Sequence, residues 1–88
     1  MRKSVFTPEY TAFRDLLREL RVEKGLTQVQ LSAALDMPQS FVSKFEIGER
    51  RLDLIEVRMV CESLGLSLPA FAKRLEARLT RSSLRGGK

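Results

Sequence analysis

Signals that start a helix alternate with signals that stop one along nearly the whole of this chain, and they lie close together. Thr7, Pro8 and Glu9 form the first start. The hydroxyl can accept from the first turn, proline has the right φ for the first helical position, and the acid faces the positive helix end. Gly25 then offers a left-handed stop. Thr27 with Gln30, and Asp53 with Glu56, each have the spacing of a capping box. Asp36-Met37-Pro38 breaks the chain again because proline biases the residue before it away from the helical region. Gly48 and Gly65 are further stops, and Ser67 is a further cap. No segment alternates as a strand would. This punctuation predicts an all-α chain of five helices.

Each helix carries an apolar side. The first, over 8–24, places Phe13, Leu16, Leu17 and Leu20 at helical spacing. The second, short, turns Leu31, Ala34 and Leu35 inward. The third is expected over 39–46, with Val42 and Phe45 on one side and Phe41 beside them. The fourth begins after Asp53 and runs through Leu54, Ile55, Val57, Val60, Cys61 and Leu64 to Gly65. The fifth carries a stripe of Leu68, Phe71, Leu75 and Leu79. Residues 8–79 thus form one domain, with 1–7 and 80–88 expected as flexible termini, the latter because of its Ser-Ser and Gly-Gly pairs.

Composition narrows the function. The 88 residues include no histidine and one cysteine, Cys61, so a Cys/His zinc site, a histidine-dependent triad and an intrachain disulfide are excluded. No glycine-rich phosphate loop occurs. The chain is expected to be no enzyme, with no cofactor and no metal. Cys61 reads as a small buried hydrophobe. No apolar run approaches the ~18–20 residues needed to span a bilayer, and the opening MRKSVFTPEY lacks the apolar stretch of a secretory leader, so a cytoplasmic protein is expected. The net charge of +5 invites an acidic partner, but the six basic and one acidic residues from Lys73 onward account for all of it. Charge alone therefore does not locate a site.

The spacing of the second and third helices is more informative, because two short helices across a tight turn form a helix-turn-helix. Residues 17–67 resemble the phage-repressor and Cro type of helix-turn-helix domain, the XRE family. The markers are Arg21 and Gly25 closing the first helix, Thr27-Gln28 opening the second, Leu31 and Ala34 within it, Val42-Ser43-Lys44-Phe45-Glu46-x-Gly48 closing the third, and Leu64-Gly65 ending the fourth. The resemblance implies a five-helix repressor-like fold that binds duplex DNA as a homodimer on a pseudo-palindromic operator. Residues 39–46 would lie in the major groove, with Gln39, Ser40, Ser43 and Lys44 toward the bases or nearby backbone. Gln28 would contact a phosphate, as would Arg50 and Arg51 in the connector. Arg21 and Glu46 match a structural ion pair. The dimer would form through the C-terminal part, with Met59, Phe71, Leu75 and Leu79 as interface candidates.

Two residues depart from the family pattern. Pro38 stands where Ser or Thr often caps the third helix. Phe41 is large and apolar where the family is often small or polar, and the sequence leaves open whether it touches a thymine methyl or packs against a neighbouring helix. The regulator would repress by occlusion or activate by contacting polymerase, and a second functional reading is an antitoxin-like module that binds a partner protein such as a toxin and autoregulates through the helix-turn-helix. It rests on the last helix and the basic tail.

Overall fold

A computed structural model of the protein describes residues 7–86, with side chains through 81. The expected lead-in over 1–6 and the last two residues of the tail lie outside the described residues. Five helices follow one another: α1 (Pro8–Lys24), α2 (Gln28–Ala34), α3 (Phe41–Glu46), α4 (Leu54–Ser63) and α5 (Leu68–Gly86). Among the described residues there is no strand, and no helix is long and apolar enough to cross a membrane.

The ends of these helices follow from local chemistry. Thr7 Oγ1 accepts from the Tyr10 amide at 3.1 Å, and Gly25 closes α1 at φ 81°. Both capping boxes are formed. The Gln30 amide donates to Thr27 Oγ1 at 3.0 Å while Gln30 Oε1 accepts from the Thr27 amide at 2.9 Å. Asp53 and Glu56 make the same exchange at 2.8 and 3.0 Å. Ser67 Oγ accepts from Ala70 to open α5.

Two boundaries differ from the expectation. Helix α3 begins at Phe41, not at residue 39, because Gln39 and Ser40 form the turn after Pro38, whose carbonyl accepts from the Phe41 amide at 2.9 Å. The stop before it is made by Asp36, which adopts the left-handed region at φ 58°, a conformation Asp tolerates better than most side chains. Helix α5 continues to Gly86 and so takes in most of the stretch expected to be a flexible tail. Extending a helix that is already docked adds a hydrogen bond per residue without a new nucleation step. An ion pair between Arg78 and Glu19 of α1, at 2.7 Å, holds the stem of that extension.

The core draws on every helix. Leu16, Leu17 and Leu20 of α1 meet Leu31, Phe41, Val42, Phe45, Val57, Val60, Cys61, Leu64 and Phe71. Burying side chains of this size contributes about 1.5–3 kcal/mol each. Phe13 packs edge-on against Phe71 with ring centroids 6.0 Å apart. Ala34, expected inward, is exposed, and Ser32 takes the buried place on α2.

Candidate nucleic-acid interface

Helix α3 is the shortest of the five, yet it is held on its inner side by an unusual concentration of polar bonds. Glu46, its last residue, is buried and faces Arg21 of α1. The guanidinium meets the carboxylate with two bonds, Nε to Oε2 at 2.7 Å and Nη2 to Oε1 at 3.1 Å, while Nη1 donates to the Leu26 carbonyl at 2.7 Å. Gln28 Nε2 also donates to Glu46 Oε1, at 2.8 Å. The backbone carbonyl of Glu46 accepts from Arg14 Nη1 at 2.7 Å. One residue thus ties α1, the start of α2 and the end of α3 together. Such a buried, fully bonded pair orients its helices as well as holding them.

The other end of α3 is secured from a neighbour. Ser40 makes no side-chain cap, as expected where Pro38 removes the usual hydroxyl. Ser32 of α2 replaces it, its Oγ accepting from the Val42 amide at 3.1 Å in a buried setting. Phe41 turns inward, 5% exposed, with its ring edge-on to Phe45 at 5.5 Å. Of the two roles open to it, packing is the one the structure displays.

What remains outward on this segment is Gln39, Ser40 and Lys44, all exposed, and Ser43, half-buried with its hydroxyl donating to the Ser40 carbonyl at 3.0 Å. Ser40, Ser43 and Lys44 share one helix face by their spacing. Ile47 extends that face, 59% exposed just beyond α3, and was not singled out from the sequence. Its spacing of three residues from Lys44 was the available signal. Arg14 was missed as well, although it lies two helical turns before Arg21 on the same side of α1.

The connector arginines are engaged within the chain. Arg50 forms a two-pronged pair with Glu56, at 3.0 and 2.8 Å, and lies 4.9 Å above the centre of the Phe41 ring. This pairing raises the Arg50 pKa and lowers that of Glu56, in each case chiefly through the side-chain hydrogen bond. Arg51 lies 5.0 Å above the ring of Tyr10. Gln28 has likewise committed one amide proton to Glu46. Of the residues expected at the phosphate backbone, Gln28 and Arg50 thus hold intrachain hydrogen bonds to Glu46 and Glu56, while the Arg50 side chain stays 40% exposed. Among the interface candidates, Met59 is 40% exposed, Leu75 and Leu79 are half-buried, and Phe71 is 2% exposed inside its own subunit. Phe71 is a core residue.

The arrangement of α2, turn and α3, with α3 packed by one side and bare on the other, is that of a helix-turn-helix DNA-binding domain. A helix-turn-helix family profile matches residues 17–71, and the chain belongs to the XRE family of DNA-binding helix-turn-helix regulators. It is 40% identical over 63 residues to the HTH-type transcriptional regulator PrpR of Mycobacterium tuberculosis, an alignment covering 72% of this chain and 13% of that protein. The chain thus spans only a small part of that relative. Among solved structures, an XRE-family like protein from Pseudomonas syringae pv. tomato superposes with a TM-score of 0.74 at 48% identity, covering 81% of this chain and 89% of the other. A point mutant of the restriction-modification controller protein C.Esp1396I shares the fold, with a TM-score of 0.75 at 22% identity, over 84% and 94% of the two chains.

Proposed function

We propose that this regulator reads a two-fold symmetric duplex operator as a homodimer, with residues 39–46 presented to the major groove. The observation that carries the reading is the division of the segment 39–46 into two sides. Phe41, Val42, Phe45 and Glu46 are buried, while Gln39, Ser40 and Lys44 stand exposed beside them. Glutamine matches the donor and acceptor edge of adenine, and lysine donates to guanine O6 and N7. Gln28, through its second amide proton, and Arg51 are assigned to the phosphate backbone, which positions the helix without reading sequence. Half-sites lie about one helical turn, roughly 34 Å, apart.

The second subunit is assigned to the outer side of α4. Leu54 and Ile55 are 66% and 65% exposed there, next to Met59. Leu54 also lines an open groove of about 520 Å³ together with Tyr10, Phe13, Val57, Leu75 and Leu79. A symmetric operator calls for a symmetric pair, and a row of large apolar side chains on so small a domain is the surface that a second copy would cover.

Selection of bound duplexes from a randomised pool at near-physiological salt tests the reading. Enrichment of a two-fold symmetric motif is expected, and recovery of the pool without enrichment overturns it. Ile55→Asp should leave the fold intact and shift the protein to a monomer in equilibrium sedimentation. An unchanged mass would remove α4 from the interface.

A further inference from the structure

We infer that Arg50 is a positioning residue for the recognition segment, acting through Phe41 and Glu56, and that it takes no part in phosphate contact. The inference rests on the operator-reading role proposed above and adds a residue that sets its accuracy.

Arg50 touches α3 at both ends. Its backbone amide donates to the Lys44 carbonyl at 3.2 Å, beside the Glu49 amide at 2.9 Å, so the connector closes the C-terminal end of the helix. Its guanidinium returns over the ring of Phe41, the first residue of that helix. The same guanidinium is forked onto Glu56 in the first turn of α4, and Nη1 donates to the Arg51 carbonyl at 3.0 Å. Glu56 is fixed in turn, since its Oε1 accepts from the Asp53 amide in the capping box. Phe41 cannot rotate away without losing the cation over its ring, and Arg50 cannot turn outward without giving up both its bonds to Glu56. The chain of contacts runs from the start of α4 to the start of α3, the part of a recognition helix whose side chains reach the bases. A planar, forked cation is required for it. Lysine would supply the charge and neither the fork nor the face.

Two substitutions separate positioning from contact by the sign of their effects. Arg50→Lys keeps the charge. Glu56→Gln keeps the acceptor for Asp53 and releases Arg50 with one more net positive charge on the surface. Binding is measured against a duplex recovered by the wild-type protein from the randomised pool and against unselected duplex, over a range of salt. If Arg50 positions α3, both variants lose about tenfold in the ratio of selected to unselected affinity, the size of one base contact. The salt slope of Arg50→Lys is then unchanged, and the amide resonances of Ser43 and Lys44 shift in both variants while the fold persists. If Arg50 were a phosphate ligand restrained by Glu56, Glu56→Gln would instead tighten both affinities, keep their ratio, and steepen the salt dependence by about one. That result overturns the inference. So does a loss of thermal stability with the ratio and the Ser43 and Lys44 resonances unmoved. A wild-type protein that enriches no duplex refutes the operator reading itself, and the positioning role falls with it, whereas either of the preceding results removes the positioning role alone.

Discussion

Two arginine–glutamate pairs bear on α3, and water is the main difference between them. Arg21 and Glu46 are 10% and 3% exposed in their side chains, and each guanidinium nitrogen and each carboxylate oxygen has a partner. Arg50 and Glu56 have the same forked geometry but are 40% and 20% exposed. A buried pair has no solvent to replace a lost partner, so removing one member leaves an uncompensated charge. The outer pair can be rehydrated, and its disruption costs mainly geometry. The inner pair therefore decides whether α3 is present, and the outer pair decides how accurately it is aimed.

The sharpest way to break this comparison is Glu46→Ala. It strands Arg21 and the Gln28 amide together, and a loss of about 3–5 kcal/mol is expected, enough to leave so small a domain largely unfolded. Urea denaturation followed by circular dichroism checks it, and a loss below about 1 kcal/mol would mean that the network relaxes onto water. Ser32→Ala comes next. It leaves the Val42 amide buried without an acceptor, for which about 1–3 kcal/mol is expected by the same measurement.

Smaller still is the effect of Arg78→Ala, which opens the exposed pair with Glu19 and should cost less than about 1 kcal/mol. That pair also sharpens the comparison through pH. The hydrogen bond from Arg78 holds Glu19 below its ordinary value of 4.5, and the one from Arg50 does the same for Glu56. Both groups bind protons less readily folded than unfolded. Their contribution is complete above the ordinary glutamate range and disappears as pH falls through the lowered folded-state values. The difference in thermal midpoint between the wild type and Arg78→Ala should accordingly be present at pH 6 and vanish in strong acid. A difference that grows on acidification would contradict the assignment.

The helices were legible because their ends are written locally. Thr27 and Gln30, or Asp53 and Glu56, stand three residues apart and need no tertiary partner to be recognised. The exposed side of the third helix was legible for the same reason, by subtraction of its buried residues. The partners that hold it were harder to see. Arg14 and Glu46 are 32 residues apart, and Ser32 and Val42 meet only once α2 and α3 have packed. The intrachain partners of Arg50 were not legible, because a connector sequence carries no sign that Phe41 and Glu56 will converge on it. The C-terminal limit of α5 was misplaced by its serines and glycines, whose weak helix propensity is overridden where the helix has a docked stem.

The single cysteine offers a use that its chemistry alone would not suggest. Cys61 is 0% exposed in the middle of α4, and burial, assisted by the Glu62 carboxylate, pushes its thiol up to about 11. Such a thiol is slow to react while the domain is closed, since the thiolate is the reactive form and the side chain is out of reach. Alkylation of Cys61 is thus a clock for transient openings of the folded state. Because the chain has no other thiol, the clock has one hand, and slowing of its rate by a bound duplex would report how far DNA quiets the core behind α3.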